Sequence, residues 1–94
     1  MADTAALRIH IEGRVQGVGF RYWLIGQADS LGLDGWVRNL RDGRVEAAVS
    51  GPQEALDEIL RRCHRGPALA RVDRVAAEAE TARVEPGFHT RPTA

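Results

Sequence analysis

Leu7-Arg-Ile-His-Ile-Glu-Gly-Arg-Val-Gln-Gly-Val-Gly-Phe-Arg21 passes from a strand pattern, through a glycine-rich turn, into a helical pattern. Leu7, Ile9 and Ile11 alternate with Arg8, His10 and Glu12, the period-two signature of a half-buried strand over 7–12. Phe20, Leu24, Ala28 and Leu31 then recur at helical spacing, so a helix is expected from about Arg21 to Leu31, with Gly32 as its stop. Between the two, Gly13, Gly17 and Gly19 let the backbone take φ > 0 and approach a ligand with no Cβ in the way. A turn that delivers the chain into a helix N-terminus gathers backbone N–H groups around one point, and that point attracts anions. Arg21 sits where a planar guanidinium can grip two oxygens of a phosphate or carboxylate. A second reading stays open, in which the turn is a strand-to-helix connection that merely needs glycine.

Two better-known phosphate loops do not fit. A dinucleotide fingerprint needs a third glycine where this chain has Tyr22. A P-loop needs lysine, and all 13 basic residues are arginine. Schiff-base chemistry is excluded on the same ground. Thirteen acidic residues balance them, with both signs spread along the chain, so a nucleic-acid partner is not expected. Any anion bound here must be small and held by local geometry.

The rest of the chain extends the same pattern. Gly35 to Leu40 reads as a second strand, Asp42-Gly43 as a hairpin turn, and Val45, Ala47 and Val49 as one face of a third strand. Ser50 is expected to cap a second helix, with Pro52 in its first turn. That helix places Ala55, Leu56, Ile59, Leu60 and Cys63 along one face and ends at Gly66-Pro67. A fourth strand over about Leu69 to Ala79 has blurred alternation and room for a bulge. A short last strand near Phe88 to Arg91 is weakly marked, because Pro86, Gly87 and Pro92 crowd it. The order β-α-β-β-α-β predicts an α+β, ferredoxin-like split βαβ sandwich: a four- to five-stranded antiparallel sheet with two helices on one face and the other face wet. One domain over 1–94 is expected, with 1–6 a loose N-terminal tail.

Ninety-four residues with 44% hydrophobic content suffice for a core, and one cysteine allows no internal disulfide. No apolar run reaches the length of a membrane span and no signal-peptide pattern opens the chain. A cytoplasmic, free-standing monomer with no membrane partner is expected. Asn39 shares strand parity with Val37, opposite Trp36, Arg38 and Leu40. Taken alone, an asparagine at a strand end is most simply a turn former.

Gly13-Arg-Val-Gln-Gly-Val-Gly-Phe-Arg21, Leu31-Gly-Leu-Asp-Gly-Trp-Val-Arg-Asn39 and Asp42-Gly-Arg-Val-Glu46 together resemble the acylphosphatase family, over about Leu7 to Val75. The resemblance implies a hydrolase that cleaves the carboxyl–phosphate bond of acyl phosphates to a carboxylate and inorganic phosphate. It implies Arg21 as the phosphate anchor and Asn39 as the group that orients the attacking water. Backbone N–H groups of Val15, Gln16, Gly17, Val18, Gly19 and Phe20 would form the phosphate cradle. No cofactor and no metal are implied; phosphate or sulfate is the expected bound anion. An acyl phosphate is already activated by its carboxylate leaving group, so positioning and electrostatics suffice without an acid, base or nucleophile. A non-catalytic anion-binding module with Asn39 idle is the alternative, and an RNA-recognition domain a distant third, lacking the aromatic, basic strand that it needs. His10 is expected at the surface, Cys63 in helix packing, His64 at a helix end, Trp23 and Trp36 in packing or at a rim, and Glu12 and Arg14 as solvated charge. His89 has no assigned role, and the physiological acyl phosphate is not identified.

Overall fold

The computed structural model describes residues 4–94. Pairing with β3 carries the first strand further than its alternation does: β1 spans Thr4–Arg14. Thr4, Ala5 and Ala6 pair with Pro52, Gly51 and Ser50, so they belong to the sheet and not to a loose tail. Residues 1–3 of that expected tail lie outside the described residues. Then come α1 (Phe20–Ser30), β2 (Asp34–Asn39), β3 (Val45–Pro52), α2 (Gln53–Arg65), β4 (Arg71–Ala79) and β5 (Phe88–Thr90).

The sheet order is β4-β1-β3-β2-β5. The β1–β3, β1–β4 and β2–β3 pairings are antiparallel, as the split βαβ order requires. The fifth strand departs from an all-antiparallel sheet: Phe88, His89 and Thr90 run parallel to Gly35, Trp36 and Val37. β4 finishes at the end of the sheet where β2 begins, and the return crosses at that end to the far edge, so β5 runs the same way as β2. The bulge expected in the fourth strand is there, since Glu12 faces Arg74 while Gly13 faces Val72, leaving Asp73 as the extra residue. Ser50 does not cap α2: it stays in β3, no side chain caps the helix, and Pro52 is its N-cap residue. Extended backbone through Pro52 keeps the β1–β3 ladder intact to its end, which leaves Ser50 too early to serve.

Both helices cover one face. Ile9, Ile11, Val37, Val45, Ala47 and Val49 point toward Phe20, Leu24 and Ala28 of α1 and Leu56, Ile59 and Cys63 of α2, all buried in one cluster. The alternate strand positions form the other face, which is polar but not open to water. Trp36 and Glu46 are buried there, beneath Arg8, His10 and Arg38. His10, expected at the surface, is half-buried with Nε2 2.7 Å from Glu46 Oε2.

Candidate active site

β1 ends at Arg14 and α1 begins at Phe20, so the intervening turn must reverse direction within five residues. Gly17 and Gly19 make this possible with φ of 72° and 80°, a region that side chains with a Cβ enter only at a cost. An added Cβ would meet no atom within 4 Å at either position, so the requirement is backbone conformation and not crowding. Gly19 is the N-cap residue of α1, with no side chain bonded to the helix end. The first backbone bond into the helix is Trp23 N–H to Gly19 C=O, at 3.0 Å. Among the described residues, no N–H from Val15 through Tyr22 donates to a backbone carbonyl outside the helix. These donors and the positive end of the helix dipole converge on the turn.

Val15, Gln16, Gly17, Gly19 and Phe20 line a cavity of about 470 Å³. Val18, the remaining member of the expected cradle, is not among its lining residues; its side chain packs against the core. Its N–H is the one group it can contribute. Arg21, the second residue of α1, lines the same cavity and is exposed, with no carboxylate among the described residues within ion-pair distance. Asn39 enters from the end of β2. Its parity with Val37 turns it to the helix-covered side, as the alternation requires. Two segments 18 positions apart in sequence thus meet at one hollow.

Asn39 also carries an unusual feature. Its Oδ1 is buried and accepts no hydrogen bond from the described residues, whereas a turn-forming asparagine would use that oxygen on nearby backbone. Leaving such an acceptor unmatched costs on the order of 1–3 kcal/mol. Gln16 supplies a bond that sequence reasoning missed: its Nε2 donates to Leu40 C=O at 2.7 Å and to Arg44 C=O at 2.9 Å. The glycine turn is thereby tied to the β2–β3 connection directly beside Asn39. Tyr22, Ile25 and Thr90 complete the cavity, also unforeseen. The i, i+3 spacing of Tyr22 and Ile25 was a usable signal, but nothing local marks Thr90. Among the described residues, no histidine, cysteine, aspartate or glutamate lines the hollow.

The architecture and this cavity define a ferredoxin-like α+β sandwich with a glycine-rich strand-to-helix turn lining a hollow at one end of its sheet. The Acylphosphatase family model matches residues 7–90. The chain is 50% identical over 91 residues to an acylphosphatase of Rhizorhabdus wittichii, covering 97% of this chain and 92% of that one. Its fold superposes on an acylphosphatase from Coxiella burnetii with TM-score 0.91 at 30% identity, covering 95% and 94% of the two chains. The acylphosphatase from Bacillus subtilis gives TM-score 0.88 at 34% identity, with 95% and 99% covered. The chain belongs to the acylphosphatase family, and its activity is the hydrolysis of acyl phosphates.

Proposed function

We propose that Arg21 anchors the phosphoryl group of the acyl phosphate, that the N–H groups from Val15 to Phe20 cradle it, and that Asn39 aims the attacking water. The observation that carries this reading is that Asn39, whose Oδ1 is buried and unmatched, lines the same cavity as Arg21. A water molecule donating to that oxygen is held with a lone pair free to face the phosphorus. Asn39 has no useful proton affinity, so it is not the base. The water oxygen bonds to phosphorus, the bond from phosphorus to the acyl oxygen breaks, and that electron pair leaves on the carboxylate. The water's proton passes to a phosphoryl oxygen, giving dihydrogen phosphate. Charge that builds on the peripheral oxygens in a loose transition state is what the guanidinium and the fixed amides stabilise. Binding is expected for inorganic phosphate and sulfate alike, since both present tetrahedral oxygens to the same donors. A cytoplasmic monomer is the accompanying proposal, supported by a single buried cysteine with no disulfide and by helices too short to cross a membrane among the described residues.

Steady-state kinetics with phosphate as inhibitor test the division of roles. Asn39→Ala should lower kcat by about 10²–10³, the loss seen when one preorganised oxyanion group is removed. Its inhibition constant for phosphate should stay close to that of the wild type. Arg21→Lys keeps the charge but loses the two-pronged grip, so both KM and the phosphate inhibition constant should rise. Unchanged turnover in Asn39→Ala removes that residue from the mechanism, and near-normal kinetics in Arg21→Lys argue against a bidentate clamp.

A further inference from the structure

Part of the cavity lies beyond the reach of the cradle. Its volume of about 470 Å³ falls within the roughly 300–1,000 Å³ typical of small-ligand sites, more than a single PO₃ group at the turn would fill. Tyr22, Ile25 and Thr90 supply the remaining wall. Tyr22 and Ile25 stand three residues apart in α1, side by side on one flank of the helix. Thr90 comes from β5, whose parallel pairing to β2 brings it beside Val37.

Tyr22 is the informative member. It is 85% exposed, although the core takes Phe20 and Leu24 from the same helix. Its ring therefore has no packing role within the chain, yet it borders the cavity next to Arg21. An aromatic face left uncovered at the mouth of a substrate site gains by being covered, and a flat apolar group on the substrate is what covers it best. Charge points the same way. Among the described residues Arg21 is the one ionised side chain in the lining, so an acyl group bearing its own charge would shed water there without gaining a further partner.

We propose that Tyr22 and Ile25, with Thr90 from β5, form the acyl subsite, and that it selects acyl phosphates whose acyl group is flat, apolar and uncharged, aryl groups above all. This rests on the cradle reading, because the anchored phosphate is what directs the acyl group along the flank of α1. Tyr22 is then a specificity residue that touches the acyl group and takes no part in the bond changes.

The test compares an aryl acyl phosphate with acetyl phosphate as substrates of the wild type, Tyr22→Ala and Tyr22→Phe, with inorganic phosphate as inhibitor of each. The aryl-to-acetyl ratio of kcat/KM should fall about tenfold in Tyr22→Ala, the discrimination that one apolar pocket contact supplies. Most of the loss should appear in KM for the aryl substrate. Tyr22→Phe should restore the ratio, because the ring and not the hydroxyl makes the contact. An unchanged ratio in Tyr22→Ala, or an equal loss on both substrates, overturns the subsite and leaves the cradle standing wherever phosphate still competes. Failure of phosphate to compete in the wild type overturns the cradle, and the subsite with it.

Discussion

Gln16 carries two jobs at one position, its backbone in the glycine turn and its side chain on the neighbouring hairpin. The two bonds from Nε2 to Leu40 and Arg44 hold the turn against the residue that follows Asn39. Both carbonyls keep a second backbone partner, Gly43 N–H for Leu40 and Leu40 N–H for Arg44, so losing Nε2 strands no buried acceptor. Gln16→Ala should therefore cost only about 1–2 kcal/mol, a fall in melting temperature of about 5–15 °C for a domain of this size. Gln16→Glu should be worse, since a carboxylate would face two carbonyl oxygens. Thermal melts of the two variants decide it, and a Gln16→Glu melt equal to the wild type would show that these bonds contribute nothing. Arg21 was readable beside the turn because a glycine turn before a helix is a local pattern; strand parity gave only the side to which Asn39 turns, and its place in the site came from the resemblance, since alone it reads as a turn former. The side-chain bond of Gln16 and the wall made by Thr90 were not readable, because each joins segments that only the folded sheet brings together.

The two helices differ in how they meet the sheet. α2 carries a clean apolar face, and its buried members Leu56, Ile59 and Cys63 are those that the helical spacing marks. β1 and β3 were legible because apolar side chains recur at every second position on the helix-covered face, Ile9 and Ile11 in one and Val45, Ala47 and Val49 in the other, although Glu46 and Ala48 are buried on the opposite face as well. Thr4 to Ala6 were not legible, since small and polar residues at a chain end show no alternation until β3 supplies partners. β5 escaped a firm reading because three residues between prolines gain a strand's geometry only from the edge of β2. The burial of α2 makes a direct prediction about Cys63. Burial among apolar side chains pushes its thiol up to about 12, so almost no thiolate exists at neutral pH in the folded chain. An alkylating reagent should label Cys63 only after unfolding, at a rate that rises with denaturant in step with loss of helical circular dichroism. Rapid labelling under native conditions would mean that α2 detaches from the sheet on its own, below the cost of global unfolding.

The helix-free face of the sheet distributes charge across three strands and the residue after a fourth. Glu46 of β3 lies beneath Arg8 and His10 of β1 and Arg38 of β2, while Arg8 also donates to Glu80 beyond β4. Guanidinium groups of Arg8, Arg38 and Arg91 lie 5.1, 4.8 and 4.4 Å from the centre of the Trp36 ring. The arrangement covers one face with paired ions and an aromatic where a second helix layer would otherwise be needed. Burial alone would raise the Glu46 carboxyl, but hydrogen bonds from His10 and Arg38 and the charges of Arg38 and Arg8 outweigh it and hold the group below its ordinary value. Glu80 is lowered in the same way, its desolvation overcome by Arg8 and by the backbone N–H of Ala82. A carboxyl lowered in the folded state binds protons less readily there than in the unfolded chain. Its stabilisation is complete above the ordinary glutamate range and is lost as pH falls through the folded value. The melting temperature should thus hold through neutral and mildly acidic pH and drop steeply once the pH passes below the ordinary glutamate value of 4.5. Glu46→Gln should start lower at neutral pH, having lost its ion pairs, yet decline less over the acid range because one of the titrating groups is gone. None of these carboxyls lines the cavity that holds Arg21 and Asn39. Melts by circular dichroism at matched ionic strength compare the two slopes, and parallel acid declines would show that Glu46 does not link protons to folding.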